Sequence, residues 1–215
     1  MKILIFTSLL SFSFCKSDEL QTKKQKSEFI KPIPMNVTQG KEIATFAGGC
    51  FWCTEAVFLE IKGVEKVVSG YTGGNIPNPT YKDICTGTTD HAEAIQITYD
   101  PKIVAYKDLL EIFFSSHNPT TLNRQGADVG TQYRSEIFYH SLEQKKQAEE
   151  YIALIEKEKL YDNPVVTAIS SAVVFYVAED YHQNYYNQNS SQGYCQMVIA
   201  PKLEKLRKYY QSKLK

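Results

Sequence analysis

Apolar and polar residues alternate along this chain with two different spacings. A β-favouring run at 42–47 ends at Gly48-Gly49, and a helix-favouring stretch follows at about 53–61, with Gly63 placed to close it. Residues 64–71 read as a strand, ended by Gly73-Gly74-Asn75, and a turn-rich stretch (Pro77, Asn78, Pro79) leads into 80–85. The stretch 91–99 alternates toward its end as a half-buried strand does, and Asp100-Pro101 stops it. Leu109, Leu110, Ile112, Phe113 and Phe114 form an apolar helix face within 105–116, ended by Asn118-Pro119. A polar loop at 126–134 precedes a strand at 135–140. Ser141 and Gln144 then make a capping box that opens a charged helix to about Lys159. Two β-rich runs follow, at 165–169 and 172–177. The stretch 181–186 reads as helical, an irregular tail begins at Gly193, and a basic helix spans 202–214.

Strands and helices therefore interleave, yet no strand shows the continuous Val/Ile pattern of an all-parallel sheet. The pattern predicts an α+β fold, a mixed or antiparallel sheet packed with helices, with an irregular C-terminal segment. No repeat or second boundary interrupts residues 41–215, which read as one unit. Residues 16–40 are polar and Lys-rich, include Lys31-Pro32-Ile33-Pro34, and read as a tether.

The first fifteen residues have a separate character. Lys2 precedes an apolar run at 3–14 that is too short to span a bilayer, and Cys15 follows directly, as in an export signal. Bacterial lipoproteins carry a cysteine at this place, although the position before it is normally small and here is Phe14. The expected location is outside the cytoplasm, periplasmic or membrane-anchored by lipid at Cys15, and cytoplasmic if the signal does not function. A soluble mature protein that keeps residues 1–14 would defeat the export reading.

Composition narrows the field modestly. A chain of 215 residues with 43% hydrophobic content can bury a substantial core. Lys plus Arg number 24 and Asp plus Glu number 24, so no net charge points to nucleic acid. Fifteen tyrosines and eleven phenylalanines suit an aromatic, hydroxyl-lined pocket as well as an ordinary core.

The chemistry concentrates at Gly48-Gly49-Cys50-Phe51-Trp52-Cys53, where a strand is expected to give way to a helix. A thiol there meets free N–H groups and the positive end of the helix dipole, which favour thiolate. Trp52 is the sole tryptophan. Cys50 and Cys53 read either as a redox dithiol or as half a zinc site, with Cys53 also readable as a small buried helix residue. Zinc requires further closely spaced ligands, which His91, His182 and the other cysteines do not offer, so no metal is expected. Glu93, in a strand expected to be buried, is a salt-bridged structural acid or a proton donor with a raised pKa. Tyr81, Asp128 and Tyr133 stand in loop-like segments, where functional polar groups gather. His91 and His182 read as satisfied structural histidines and Cys85 as a buried thiol. Cys195, in a Gly-containing stretch without strong periodicity, suits a mobile resolving thiol or an inert tail cysteine.

These segments together resemble the A-type peptide-methionine sulfoxide reductases. The resemblance rests on Gly48-Gly49-Cys50-Phe51-Trp52, Ser69-Gly70-Tyr71-Thr72-Gly73-Gly74 and Thr86-Gly87-Thr88-Thr89-Asp90-His91-Ala92-Glu93. It is completed by Asp128-Val129-Gly130-Thr131-Gln132-Tyr133-Arg134-Ser135, Tyr181-His182-Gln183 and Gly193-Tyr194-Cys195, in family order over about 41–203. The resemblance implies a two-layer α+β sandwich and reduction of the S epimer of methionine sulfoxide, free or in proteins, without a cofactor. By it, Cys50 is the nucleophile and Glu93 the acid. Tyr81, Asp128 and Tyr133 surround the sulfoxide oxygen, and Phe51 and Trp52 seat the S-methyl group. Cys195 matches the resolving cysteine, with Cys53 as the alternative, and a thioredoxin-like dithiol reopens the disulfide. The implied protein is a monomer that binds no nucleic acid and meets a membrane only through a lipid anchor. Three departures stand out: Cys53 where many members have glycine, Asp90 where glycine is common, and no cysteine beyond Cys195. Two other readings remain: a disulfide oxidoreductase using Cys50 and Cys53 alone, and a non-enzymatic binding domain with structural disulfides.

Overall fold

In the computed structural model, which describes residues 39–215, the first apolar run forms β1 (Glu42–Gly48) and the helix after it α1 (Phe51–Leu59). There follow β2 (Val64–Thr72), α2 (Tyr81–Cys85), β3 (Ala92–Tyr99) and α3 (Tyr106–Ser116). The polar loop carries a small hairpin, β4 (Arg124–Gln125) and β5 (Asp128–Val129), and leads to β6 (Ser135–Tyr139) and α4 (Leu142–Lys157). Short strands β7 (Ala168–Ser171) and β8 (Tyr176–Val177) precede α5 (Tyr185–Asn189) and α6 (Ala200–Tyr209). The expected export signal and all but the last two residues of the tether lie outside the described residues. Among the described residues no helix is long and apolar enough to cross a membrane.

Six strands form one sheet in the order β7-β6-β1-β3-β2-β8. Every neighbouring pair is antiparallel except β6 and β7, so the sheet is mixed, as the absence of continuous Val/Ile strands predicted. Alternation along β3 sends Ile95, Ile97 and Tyr99 into the main core, with Phe46 of β1, Tyr71 of β2 and residues of α1, α3 and α6. Ala92 and Ala94 face the other way, into a smaller cluster with Ala47, Val68, Phe138 and Phe175. That second cluster corrects one expectation. β3 is buried on both faces rather than half-buried, because the segment around Phe175 covers its far side.

Three local differences from the sequence reading bear on the site. Residues 80–85, left unassigned by periodicity, form α2, whose N-cap Thr80 and Asp83 make a reciprocal capping box. The expected helix at 181–186 is instead a 3-10 turn (Asp180–His182) followed by α5, with Asn184 between them in the left-handed region (φ 50°). The tail expected to be irregular from Gly193 is helical: Gly193 and Tyr194 lead into a π turn (Cys195–Ile199) that runs directly into α6.

Candidate active site

The site begins where β1 stops. Gly49 takes φ +89°, and a Cβ there would fall 2.6 Å from the Gln125 side chain, so this turn needs glycine on two counts. The turn delivers Cys50 as the N-cap of α1, with φ −56° and ψ 123°. The pairing of β1 with β3 then explains which residue meets it. Phe46 lies opposite Ile95, and continuing that antiparallel register by two residues brings the end of β1 to Glu93.

Glu93 is 2% exposed, and its Oε2 accepts the Phe51 N–H at 3.1 Å. Cys50 makes no side-chain capping bond, so Glu93 does the work of a cap from another strand. Burial outweighs that bond, which favours the charged form, and the Asp128 and Cys53 charges add to burial; the carboxyl is pushed up to about 8. Glu93 therefore holds a proton at neutral pH. With Oε2 taken by the backbone donor, Oε1 is the oxygen left to carry it.

The thiols behave differently from the sequence expectation. Cys50 was expected to be the thiolate. Burial instead pushes its thiol well up, with its hydrogen bond to Cys53 and the nearby Glu93 charge adding to the effect. The physical reason is burial, which strips the thiolate of water, and the helix N-terminus does not offset it: the Phe51 N–H serves Glu93 and the Cys53 N–H bonds the Cys50 carbonyl. Cys53, 2% exposed, receives the hydrogen bond from Cys50, which pulls it down to about 7 against its own burial; Lys202 also favours its charge. The two sulfurs therefore titrate as one hydrogen-bonded pair, burial opposing a charge on Cys50 and the bond from Cys50 favouring one on Cys53.

Tyr81, Asp128 and Tyr133 come together around these groups from three elements. Tyr81 is the first residue of α2, Asp128 lies in β5, and Tyr133 ends a 3-10 turn (Thr131–Tyr133). Burial raises both tyrosines, and the Glu93 charge is the next cause in each, which places their hydroxyls in its electrostatic reach. Tyr194 went unassigned in the sequence although it lies in the Gly193-Tyr194-Cys195 motif. Its hydroxyl donates to Asp128 Oδ2 at 3.0 Å, lies 3.8 Å from Cys53 Sγ, and reaches Cys50 as well. Nothing but its place beside Cys195 could have signalled it.

Two cysteines correct the sequence reading. Cys85, expected to be buried, is exposed at the end of α2 and bonds Tyr81. Cys195, readable as a mobile resolving thiol or an inert tail cysteine, is wholly buried in the main core within electrostatic reach of Cys53, and burial raises its thiol.

The apolar side consists of Phe51 and Trp52. Phe51 is buried (1% exposed) and touches the rings of Tyr71 and His182, so it forms the floor. Trp52 is half-buried and forms the wall. Its ring stacks on Tyr185 at 3.7 Å with a 6° tilt, and its N–H donates to His182 Nδ1 at 3.0 Å. His91 is a satisfied structural histidine, bonded to Gly74 N–H and the Ile76 carbonyl. His182 is only partly satisfied: its Nε2 is buried without a hydrogen-bond partner.

Comparison with known proteins gives a consistent result. Residues 42–214 match the family model described as peptide methionine sulfoxide reductase. The chain is 57% identical over 175 residues to the peptide methionine sulfoxide reductase MsrA of Deinococcus radiodurans, spanning 81% of this chain and 85% of that protein. It is 56% identical over 174 residues to the MsrA of Saccharolobus solfataricus, spanning 81% of this chain and 97% of that one. Among solved structures, the reduced form of Mxr1 from Saccharomyces cerevisiae superposes with a TM-score of 0.66 at 35% identity, covering 73% of this chain and 90% of that chain. Methionine sulfoxide reductase A of Corynebacterium diphtheriae gives 0.65 at 34% identity, covering 74% and 80%.

Proposed function

The chain belongs to the peptide methionine sulfoxide reductase family, oxidoreductases that return methionine sulfoxide to methionine, and we propose that it does so through Cys50, Glu93 and Cys53. The observation that carries this assignment of roles is the meeting of a buried Glu93, pushed up to about 8, with the hydrogen-bonded thiols Cys50 and Cys53 at one strand-to-helix turn.

A sulfoxide sulfur accepts a nucleophile only when its oxygen is protonated or strongly hydrogen-bonded. Glu93 supplies the proton from Oε1, and the hydroxyls of Tyr81 and Tyr133 bond the same oxygen. Asp128 orients Tyr194, which holds the thiol pair. As Cys50 attacks, its proton passes to the Cys53 thiolate one helical turn away. The S–O oxygen ends on Cys50, so a thiol and a sulfoxide become a sulfenic acid and a thioether. Phe51 and Trp52 seat the methyl group and exclude water from the developing bond.

Cys53 is the thiol already in contact with Cys50, so it condenses first with the sulfenic acid, expelling water and forming a Cys50–Cys53 disulfide. Cys195 then attacks Cys53, which frees Cys50 and leaves a Cys53–Cys195 disulfide for an external dithiol of the thioredoxin type to reduce. Single-turnover reaction with a methionine sulfoxide peptide, quenched by acid and mapped by mass, tests this order. Cys50→Ser yields no methionine, and the wild type shows Cys50–Cys53 before any disulfide containing Cys195. A first disulfide joining Cys50 to Cys195, with Cys53 free, removes Cys53 from the pathway.

A further inference from the structure

Trp52 is the wall of the methyl seat, and its orientation is fixed from outside the reacting groups. The indole N–H donates to His182 Nδ1 at 3.0 Å. An indole nitrogen can only donate, so Nδ1 carries the lone pair and the imidazole proton sits on Nε2. Burial lowers His182 to about 4, which keeps the ring neutral and preserves this acceptor. The Nε2–H has no hydrogen-bond partner, yet it faces Glu179 Oε2 at 3.8 Å. A buried donor left open in this way calls for an explanation.

Glu179 supplies one. Its Oε2 accepts the Tyr71 hydroxyl at 2.9 Å and its Oε1 accepts the backbone N–H of Tyr81, also at 2.9 Å. One carboxylate therefore fixes the start of α2, where Tyr81 enters the site, and faces the proton that selects the tautomer of His182. The His182 ring in turn lies 4.5 Å from the Tyr81 ring and 5.0 Å from that of Phe51. Tyr185 covers one face of the indole, and His182 holds its N–H edge. Tyr194 meets the indole nearly at right angles, with ring centroids 5.9 Å apart, so the ring is held from three sides.

We propose that His182, backed by Glu179, is a positioning residue that holds Trp52 at the distance suited to an S-methyl group and so sets the preference for methyl over larger S-alkyl sulfoxides. This rests on the reading of Trp52 as the wall of the methyl seat. Neither residue touches the reacting atoms. His182 acts through the placement of Trp52, and Glu179 acts through His182.

The test compares wild type, His182→Leu, His182→Asn and Glu179→Gln with dimethyl sulfoxide and diethyl sulfoxide as probes. His182→Leu removes the acceptor. His182→Asn offers an amide oxygen near the place of Nδ1. In His182→Leu the KM for dimethyl sulfoxide rises about tenfold, and the methyl-over-ethyl ratio of kcat/KM falls by a similar factor, in the range of one methylene in an apolar pocket. The rate of sulfenic acid formation at saturation stays near wild type. The emission of Trp52, the sole tryptophan, shifts with the loss of its acceptor. His182→Asn restores the ratio and the emission, and Glu179→Gln moves the ratio in the direction of His182→Leu. A folded His182→Leu enzyme with unchanged KM and ratio overturns the inference, as does an Asn variant no better than Leu. If His182→Leu fails to fold, the Asn and Gln variants decide, the inference failing if Gln leaves the ratio untouched. Failure of the underlying reading looks different: wild type itself would then show no methyl preference, or Cys50→Ser would retain activity.

Discussion

Glu93 shows how one side chain answers two demands. Its Oε2 caps an otherwise uncapped helix, which favours the carboxylate, while its burial favours the acid, and burial prevails. The folded carboxyl, at about 8, holds its proton more tightly than the unfolded one, whose ordinary value is 4.5. Its contribution to stability is therefore complete below about 4.5 and is lost as pH rises through about 8. Glu93→Gln keeps an acceptor for the Phe51 N–H but has no proton to give. The reductive step should slow roughly 10²-fold or more and lose its fall-off near pH 8. The same variant should be more stable than wild type at pH 9 by roughly 3–5 kcal/mol, and close to it at pH 5. Urea unfolding at both pH values, with single-turnover rates, checks this. An equal stability difference at both would mean that no proton at Glu93 is linked to folding.

Among the secondary elements, α1 organises the site, because it is buried on almost every side and each of its polar groups has a task. Glu55, one turn beyond Phe51, is 1% exposed, and its two oxygens accept the N–H groups of Asn184 (2.7 Å) and Tyr185 (3.2 Å). It thereby fixes the left-handed residue at 184 and the ring that stacks on Trp52. Glu55→Ala leaves both donors without that acceptor, so a loss of about 1–3 kcal/mol is expected. Hydrogen exchange should rise at residues 182–186 more than in the central strands β1 and β3. A uniform rise across the protein would mean that Glu55 supports the fold in general and not this segment. The sequence made α1, β1 and β3 legible, because glycine turns and alternation are local signals. The convergence of Cys50, Glu93, Asp128 and Tyr133 was also legible, through motifs in family order, whereas Tyr81 stood outside those motifs in a loop-like stretch. Glu55, Glu179 and the role of Tyr194 were not. Glu179 meets Tyr71 and Tyr81 across 108 and 98 residues of chain, and no short window of sequence contains such a contact. The burial around the thiol pair was hidden for a related reason. A helix N-terminus favours thiolate at its N-cap, but the burial that opposes a charge on Cys50 is assembled by distant segments, Glu93 forty-two residues away among them.

The architecture as a whole places the three core thiols under the C-terminal segment. Strand β1 ends at Gly48, two residues before Cys50, and the chain from Glu179 to Ile199 closes over that point, held by Glu55, by the Trp52–His182 bond and by the Tyr194–Asp128 bond. Cys195 is wholly buried there, and the Cys53 charge opposes its ionisation. It cannot attack a disulfide as a thiol with its proton held, nor can an external dithiol reach a sulfur sealed in the core. The steps that form the Cys50–Cys53 bond remove both obstacles. The negative charge on Cys53 has already been quenched by the proton from Cys50, and a disulfide sulfur has neither charge nor S–H to offer the Tyr194 hydroxyl that Cys53 meets at 3.8 Å, which weakens one of the ties that keep the segment closed. The closed segment is thus suited to the reductive step, and an opened one to recycling. In the reduced protein Cys85, which is exposed, should be alkylated quickly and Cys195 slowly. After one turnover in a Cys195-containing enzyme held without reductant, hydrogen exchange over residues 185–199 should increase. In a Cys85→Ser background the rate of alkylation at Cys195, trapped before it reacts, should rise by at least tenfold, on the principle that labelling follows the population of the open form. Equal labelling of Cys195 in both states would mean that the segment opens without regard to Cys53, and the coupling of bond formation to opening would have to be abandoned.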